Sequence, residues 1–267
     1  MKRIAFSLAI LLALLSAFSA CKKKTPELTP EQTASDELLF KLGEQTLKKD
    51  PEKARLYLRQ VIDSFPKSFY AQRAKLAIAN SFFAKGDEAS MILAAAEYRE
   101  FISLYPYSPS ASFAQYRIGM THFTKSLRSG RDQTKTRMAL AEFKKVLAQF
   151  PLSDEAKLAQ EKIRECEEKL AEHEFSVGRF YYRRKAFKAA TSRLTDILTT
   201  YPSYSNLVEV YFLLADSYFQ SNKVEESLPF FTKLVSDYPQ SRWAEKAQAR
   251  LQDINAKKSN QPPIPTK

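Results

Sequence analysis

Large apolar residues recur along this chain at fixed distances from a proline. Five times an aromatic residue immediately precedes proline, at Phe65-Pro66, Tyr105-Pro106, Phe150-Pro151, Tyr201-Pro202 and Tyr238-Pro239, and in four of these a serine follows two residues after the proline. Twelve positions before each proline stands a small residue: Ala54, Ala94, Ala139, Ala190 or Ser227. Eight before it stand Leu58, Tyr98, Phe143, Leu194 and Phe231, and five before it Val61, Phe101, Val146, Ile197 and Leu234. Steps of four and three keep these positions on one face of a helix. The proline ends that helix, because it lacks an N–H and disfavours helical geometry in the residue before it.

Upstream of each such helix a partner is expected, with Gly119, Gly178 and Ala215 as small contact positions and Phe123, Tyr181 and Tyr218 at or near three residues beyond. Small, aromatic, Ala, two bulky residues and Pro in this order is the tetratricopeptide pattern. Successive prolines lie 40, 45, 51 and 37 residues apart, against a unit of ~34, so the repeats carry insertions. One is a polar loop around Ser126 to Thr136. Another is extra helix after Pro151: Ser153 is a good N-cap, Asp154 and Glu155 suit the first turn, and no breaker follows until about Arg183. Ala159, Ile163, Cys166, Leu170 and Val177 share one face of that helix, which makes Cys166 a buried small hydrophobe. The fold class expected is all-α, a tetratricopeptide-repeat solenoid of five helix pairs with a long helix after repeat three and a C-terminal capping helix. Repeats one to three occupy residues 36–152, and the long helix, repeats four and five and the cap occupy 153–257, before a disordered tail over 258–267.

The N-terminus has a different pattern. Lys2 and Arg3 precede an apolar run and then Ser16-Ala17-Phe18-Ser19-Ala20-Cys21, the layout of a secretory signal over residues 1–20. Its apolar part, Ile4 to Phe18, is 15 residues, short of the ~20 that span a bilayer core. Ser19 and Ala20 before Cys21 resemble the lipobox of bacterial lipoproteins, although Phe18 stands where Leu is usual. Cys21 is accordingly the expected lipid attachment site, and the Lys-rich segment 21–35 a flexible tether.

Composition narrows the chemistry. The formal charge is +12; without residues 1–20 there remain 40 basic and 30 acidic residues, a net +10 over 247. An exported chain with scattered lysines is not a nucleic-acid binder. The 5 glycines, Gly43, Gly86, Gly119, Gly130 and Gly178, do not cluster into a phosphate-cradling loop. His122, His173 and two lone cysteines cannot assemble a metal site of the usual kind. Neither cofactor nor metal is expected. Acidic pairs such as Glu167-Glu168 are expected to face solvent rather than an apolar pocket that would fit them for acid–base work, so the chain is not read as an enzyme.

Several stretches together resemble one family, the BamD tetratricopeptide lipoproteins of the machine that assembles β-barrels into the bacterial outer membrane. They include Phe65-Pro66-Lys67-Ser68-Phe69-Tyr70-Ala71, Pro109 with Phe113-Ala114, Tyr116 and Gly119, and Leu170-Ala171-Glu172-His173-Glu174-Phe175-Ser176-Val177-Gly178-Arg179-Phe180-Tyr181. The fourth turn departs from the family by being longer. The resemblance implies an assembly factor on the periplasmic side of the outer membrane, favoured by Lys22 after the cysteine, that binds the periplasmic domains of a BamA-like insertase and unfolded outer-membrane proteins, with small lipoproteins as further partners. The alternative from another class is a repeat lipoprotein that coordinates cell division or peptidoglycan synthesis. Tetratricopeptide arrays line their concave groove with positions 2, 5, 9 and 12 of each first helix. Counted around Ala79 and Gly119, these are Arg73, Leu76, Asn80 and Phe83 with Phe113, Tyr116, Met120 and Phe123, an expected substrate groove. Around Gly178 and Ala215 the count is expected to expose Arg179, Tyr182 and Arg183 with Glu209, Phe212, Asp216 and Phe219, an expected partner interface.

Overall fold

The computed structural model describes residues 35–259. The signal segment, Cys21, the tether up to residue 34 and the tail from residue 260 lie outside the described residues. Eleven helices make up the described secondary structure: α1 (Asp36–Thr46), α2 (Pro51–Ser64), α3 (Phe69–Lys85), α4 (Glu88–Leu104), α5 (Ala111–Phe123), α6 (Thr134–Gln149), α7 (Asp154–Arg183), α8 (Phe187–Thr200), α9 (Leu207–Gln220), α10 (Val224–Asp237) and α11 (Arg242–Ser259). They form two compact units, residues up to Ala74 and residues from Lys75 onward.

The same stop closes α2, α4, α6, α8 and α10. The aromatic residue before each proline leaves the helix with φ between −129° and −133° and ψ between 47° and 61°, while its N–H still donates to the carbonyl of Val61, Phe101, Val146, Ile197 or Leu234. That backbone lies outside the helical region, which a following proline disfavours in the residue before it. The aromatic carbonyl then accepts from the N–H three residues on, closing a turn at Ser68, Ser108, Ser153, Tyr204 and Ser241. Proline supplies the fixed φ at the second position of such a turn. Ser153 and Ser241 also accept from the N–H groups of Ala156 and Ala244, so one short motif both ends a helix and starts the next. In the fourth turn Tyr204 replaces the serine; it is buried, and its hydroxyl donates to Glu172.

All fifteen residues of the small–bulky–bulky pattern have no exposed surface. Within a pair, the first bulky side chain lies against the small residue of the preceding helix. A Cβ placed at Gly119 would lie 2.5 Å from the ring of Phe143, and one at Gly178 would lie 2.9 Å from Leu194. Glycine is needed there because the facing side chain occupies the methyl position.

In the first unit α1 packs on α2, with Leu39, Phe40, Leu58 and Val61 buried. In the second unit each helix from α4 to α10 packs on the next. Helix α7 begins at Asp154, capped by the hydroxyl of Ser153, and runs 30 residues, about 45 Å at 1.5 Å per residue. Its first part packs on α6 and its last part on α8. The loop from Thr124 to Gln133 is fastened to it: His173 Nδ1 lies 2.6 Å from the Ser129 carbonyl, and Lys169 donates to Ser126 at 2.8 Å. Two expectations are adjusted. Glu167 and Glu168 are half-buried instead of facing solvent, the first paired with Lys144 at 3.0 Å and the second accepting from the Ser205 N–H at 3.1 Å. Helix α11 continues to Ser259, past the residue where the tail was expected to begin.

Candidate functional site

Arg73 belongs to the first unit. Its guanidinium lies 4.5 Å from the ring centre of Phe40 and 3.7 Å from a carboxylate oxygen of Glu44. The other seven groove positions belong to the second unit and are half-buried. They form two clusters rather than one strip. Leu76 and Phe83 of α3 and Phe113 of α5 pack on a buried core that includes Tyr98, Phe101 and Ile118. Tyr116, Met120 and Phe123 of α5 pack instead on Phe143, Val146, Ile163 and Cys166. Tyr116 and Phe123 put their ring centres 5.5 and 6.1 Å from that of Phe143, at tilted and edge geometries typical of favourable ring pairs.

The turn of α5 that carries Tyr116 also carries Arg117, which the repeat count did not select. Its guanidinium lies 3.7 Å from the centre of Phe83 and 5.5 Å from that of Phe113, and its Nε donates to the Tyr98 hydroxyl at 3.3 Å. Tyr98 donates in turn to Asn80, the remaining groove residue. Burial raises the pKa of the Tyr98 hydroxyl, and Arg117 works against that shift; burial likewise raises Tyr116. On the other cluster the ammonium groups of Lys162 and Lys169 of α7 lie 4.7 and 5.3 Å from the Phe123 ring centre. These half-exposed rings flanked by cations offer binding: stacking, cation–π contact and hydrogen bonding. Cys166, beneath the second cluster, has its thiol pushed up to about 12 by burial and is a packing residue.

At the far end the expected interface divides. Arg183 is exposed and Arg179 half-buried, with its guanidinium 5.2 Å from the Phe175 ring centre; neither forms an ion pair among the described residues. Tyr182, Glu209 and Phe219 are half-buried. Phe212 and Asp216, expected on the surface, are 6% and 2% exposed. Helix α11 covers them. Phe212 lies 4.8 Å from Trp243, ring centre to ring centre, and Asp216 accepts from Tyr182 at 2.6 Å and from Arg250 at 2.9 Å. Burial and the adjoining Asp216 hold the Tyr182 hydroxyl well above the usual tyrosine range. The accessible part of this end is therefore the basic, aromatic end of α7, where Phe180 is 54% exposed beside Arg183, Arg184 and Lys185. It adjoins an open cavity of about 700 Å³ lined by Lys185, Phe187, Lys188 and Ser221 among others.

Residues 32–221 match the family YfiO, described as outer membrane lipoprotein, and residues 209–241 match a tetratricopeptide repeat. The chain is 29% identical over 255 residues to the outer membrane protein assembly factor BamD of Caulobacter vibrioides, covering 95% of this chain and 82% of that protein. It is 26% identical over 241 residues to the protein of the same name from Rickettsia prowazekii, covering 88% and 92%. With that from Haemophilus influenzae it shares 26% over 218 residues, covering 78% and 81%.

Proposed function

We infer that this chain, which belongs to the YfiO family of outer membrane lipoproteins, is an outer membrane protein assembly factor. It works as a scaffold, tethered to the periplasmic face of the outer membrane by acyl chains on Cys21, a modification that an intact mass of the membrane-extracted protein reads directly. The family match supports this reading over the division or peptidoglycan-synthesis coordinator, since both the family and the relatives are named for the outer membrane.

The observation that carries the scaffold role is the pair of half-exposed ring clusters on α3 and α5. An extended peptide with aromatic side chains on alternate positions, such as a strand of an unfolded barrel, fits rings spaced along a helical face. Unfolded outer-membrane proteins therefore bind across Leu76, Asn80, Phe83, Phe113, Tyr116, Met120 and Phe123. The insertase docks at the end of α7, with Arg179 and Arg183 steering it and Phe180 giving an apolar anchor. Small lipoproteins are further partners of the same complex. The test is photo-cross-linking of a strand-like aromatic peptide to the full chain. Label is expected in α3 and α5, and Tyr116→Ala with Phe123→Ala is expected to remove most of it from a protein whose circular dichroism is unchanged. Undiminished labelling of the folded double variant would move the substrate elsewhere.

A further inference from the structure

Three turns inside the helix pairs of the second unit place one residue in the left-handed region. Between α3 and α4 it is Gly86, at φ 77°, and between α9 and α10 it is Asn222, at φ 60°; these residue types take that backbone readily. Between α7 and α8 it is Lys185, at φ 58°. The last two turns close alike. Lys185 and Asn222 each donate to the carbonyl three residues back, and Ala186 and Lys223 to the carbonyl five back. Lysine is strained where asparagine is not, so this turn is shaped by what the lysine side chain reaches rather than by backbone fit. Lys185 and Lys188 line the open cavity of about 700 Å³ whose apolar part is Ala186, Phe187 and Ala189. A second cavity of about 330 Å³ shares Lys188 and Ser221 with the first and continues to Lys223. The three lysines are exposed and none is ion-paired among the described residues. No acid lines either cavity, and Glu225 and Glu226, which follow Lys223, lie outside both linings. The turns at the opposite ends of these helices, residues 201–206 and 238–241, hold no charged residue.

We infer that this groove takes the phosphate headgroup of an anionic membrane lipid, with Lys185, Lys188 and Lys223 around the phosphate and the adjoining carbons of the lipid over Ala186, Phe187 and Ala189. Ammonium groups on flexible stems meet a phosphate as point charges, and lysines beside a bilayer are drawn to its anionic headgroups. An apolar floor with a few cations at its edge suits an amphiphile better than a free anion or an acidic peptide surrounded by water. A membrane is at hand, because the chain belongs to a family of outer membrane lipoproteins. The inference goes beyond the insertase reading, which uses Arg179, Arg183 and Phe180 of α7 itself. It also gives the far end of α7 an orientation, toward the bilayer surface.

The test is sedimentation with sucrose-loaded vesicles of the full chain carrying Cys21→Ala, so that acyl chains contribute nothing. The vesicles are phosphatidylcholine alone, or equal parts phosphatidylcholine and phosphatidylglycerol. Binding is expected to the second kind only. Lys185→Asn with Lys188→Gln and Lys223→Gln, in which asparagine copies the residue of the next turn, is expected to weaken it about a hundredfold, at about fivefold per lysine near a charged surface. Lys188→Gln with Lys223→Gln leaves the strained turn untouched and is expected to lose about twenty-five-fold on the same scale. A control removes equal charge from the loop before α6, through Lys125→Gln, Arg128→Gln and Arg131→Gln, and is expected to bind nearly as the parent does. Equal losses in the groove and loop variants would overturn the site in favour of diffuse net charge. Equal binding to both kinds of vesicle, or to neither, would overturn it outright. Binding of poly-glutamate or inorganic phosphate without binding of vesicles would give the groove to an acidic protein surface or to the free anion. The groove variants are expected to keep both their circular dichroism and their co-purification with the insertase. Loss of co-purification with vesicle binding retained would make the groove part of the insertase interface instead.

Discussion

Helices α5 and α9 are the first helices of their pairs, and both carry rings at the same repeat positions. On α5 the rings Tyr116 and Phe123 are half-exposed beside Phe143. On α9 the corresponding Phe212 is buried against Trp243, and Phe219 lies under the guanidinium of Arg250 at 5.2 Å. Asp216, one turn from Phe212, is closed off by Tyr182 and Arg250. The period of the sequence thus selects a helix face, while the element that later crosses that face decides whether it becomes core or binding surface. Near the end of the chain that element is α11.

Alanine at the two matched rings should separate the cases most widely. Phe212→Ala is expected to cost about 3–5 kcal/mol, as for other buried aromatics, which lowers Tm by roughly 2–4 °C per kcal/mol in a domain of this size. Tyr116→Ala should cost only about 1–2 kcal/mol, because part of its surface already meets water and a ring pair adds about 0.5–1.5 kcal/mol. Similar Tm losses for the two variants would show that α5 is as closed as α9. A smaller effect is expected from Gly119→Ala, whose new methyl would meet Phe143 at 2.5 Å. Overpacking of about 1–3 kcal/mol exceeds the ~1 kcal/mol that alanine returns through helix propensity, so Tm should fall modestly. An unchanged Tm would mean that Phe143 yields, and with it the floor under Tyr116. The smallest effect on stability belongs to Arg179→Glu with Arg183→Glu. Neither arginine is ion-paired among the described residues, and a partly exposed cation–π contact such as that of Arg179 is worth about 0.5–1 kcal/mol. The double variant should keep a near-native Tm and lose co-purification with the insertase; normal co-purification by the folded protein would place that interface elsewhere.

The helix pairs were legible because their signal is local. Ala54 to Pro66, Ala94 to Pro106 and their counterparts each encode one helix, its buried face and its stop within thirteen residues, and no distant element can change that packing. The length of α7 was legible for a similar reason, since Ser153 marks its start and nothing interrupts it before Arg183. Proline alone was less informative than its context: Pro229 lies inside α10 and does not end it. The small residue of the first pair, Gly43, whose added Cβ would fall 2.7 Å from Leu58, escaped the pattern because α1 is followed after only four residues by α2 and the count to Ala54 is short. The misplaced surface residues were non-local. Nothing in α9 itself announces that Trp243 and Arg250 will cover Phe212 and Asp216. Arg117 was missed because it lies outside the four counted positions, and its role depends on Phe83 and Tyr98, 34 and 19 residues away in sequence.

Helix α7 has a consequence for how the second unit comes apart. In an ordinary repeat array each unit contacts only its neighbours, and stability is close to a sum of unit and interface terms, so one end can fray while the other stays formed. Here a single uninterrupted rod backs α6 with its first half and serves α8 as a partner with its second. Melting either neighbour strips one half of the rod of its apolar cover while leaving it covalently continuous with the other half. The boundary where an array would otherwise divide into independent segments is thereby replaced by shared structure, and the third and fourth pairs are tied into one cooperative block. A load applied at the C-terminal end of α7 is carried through helical backbone, rather than across a loop, to the helices that border the ring clusters of α5.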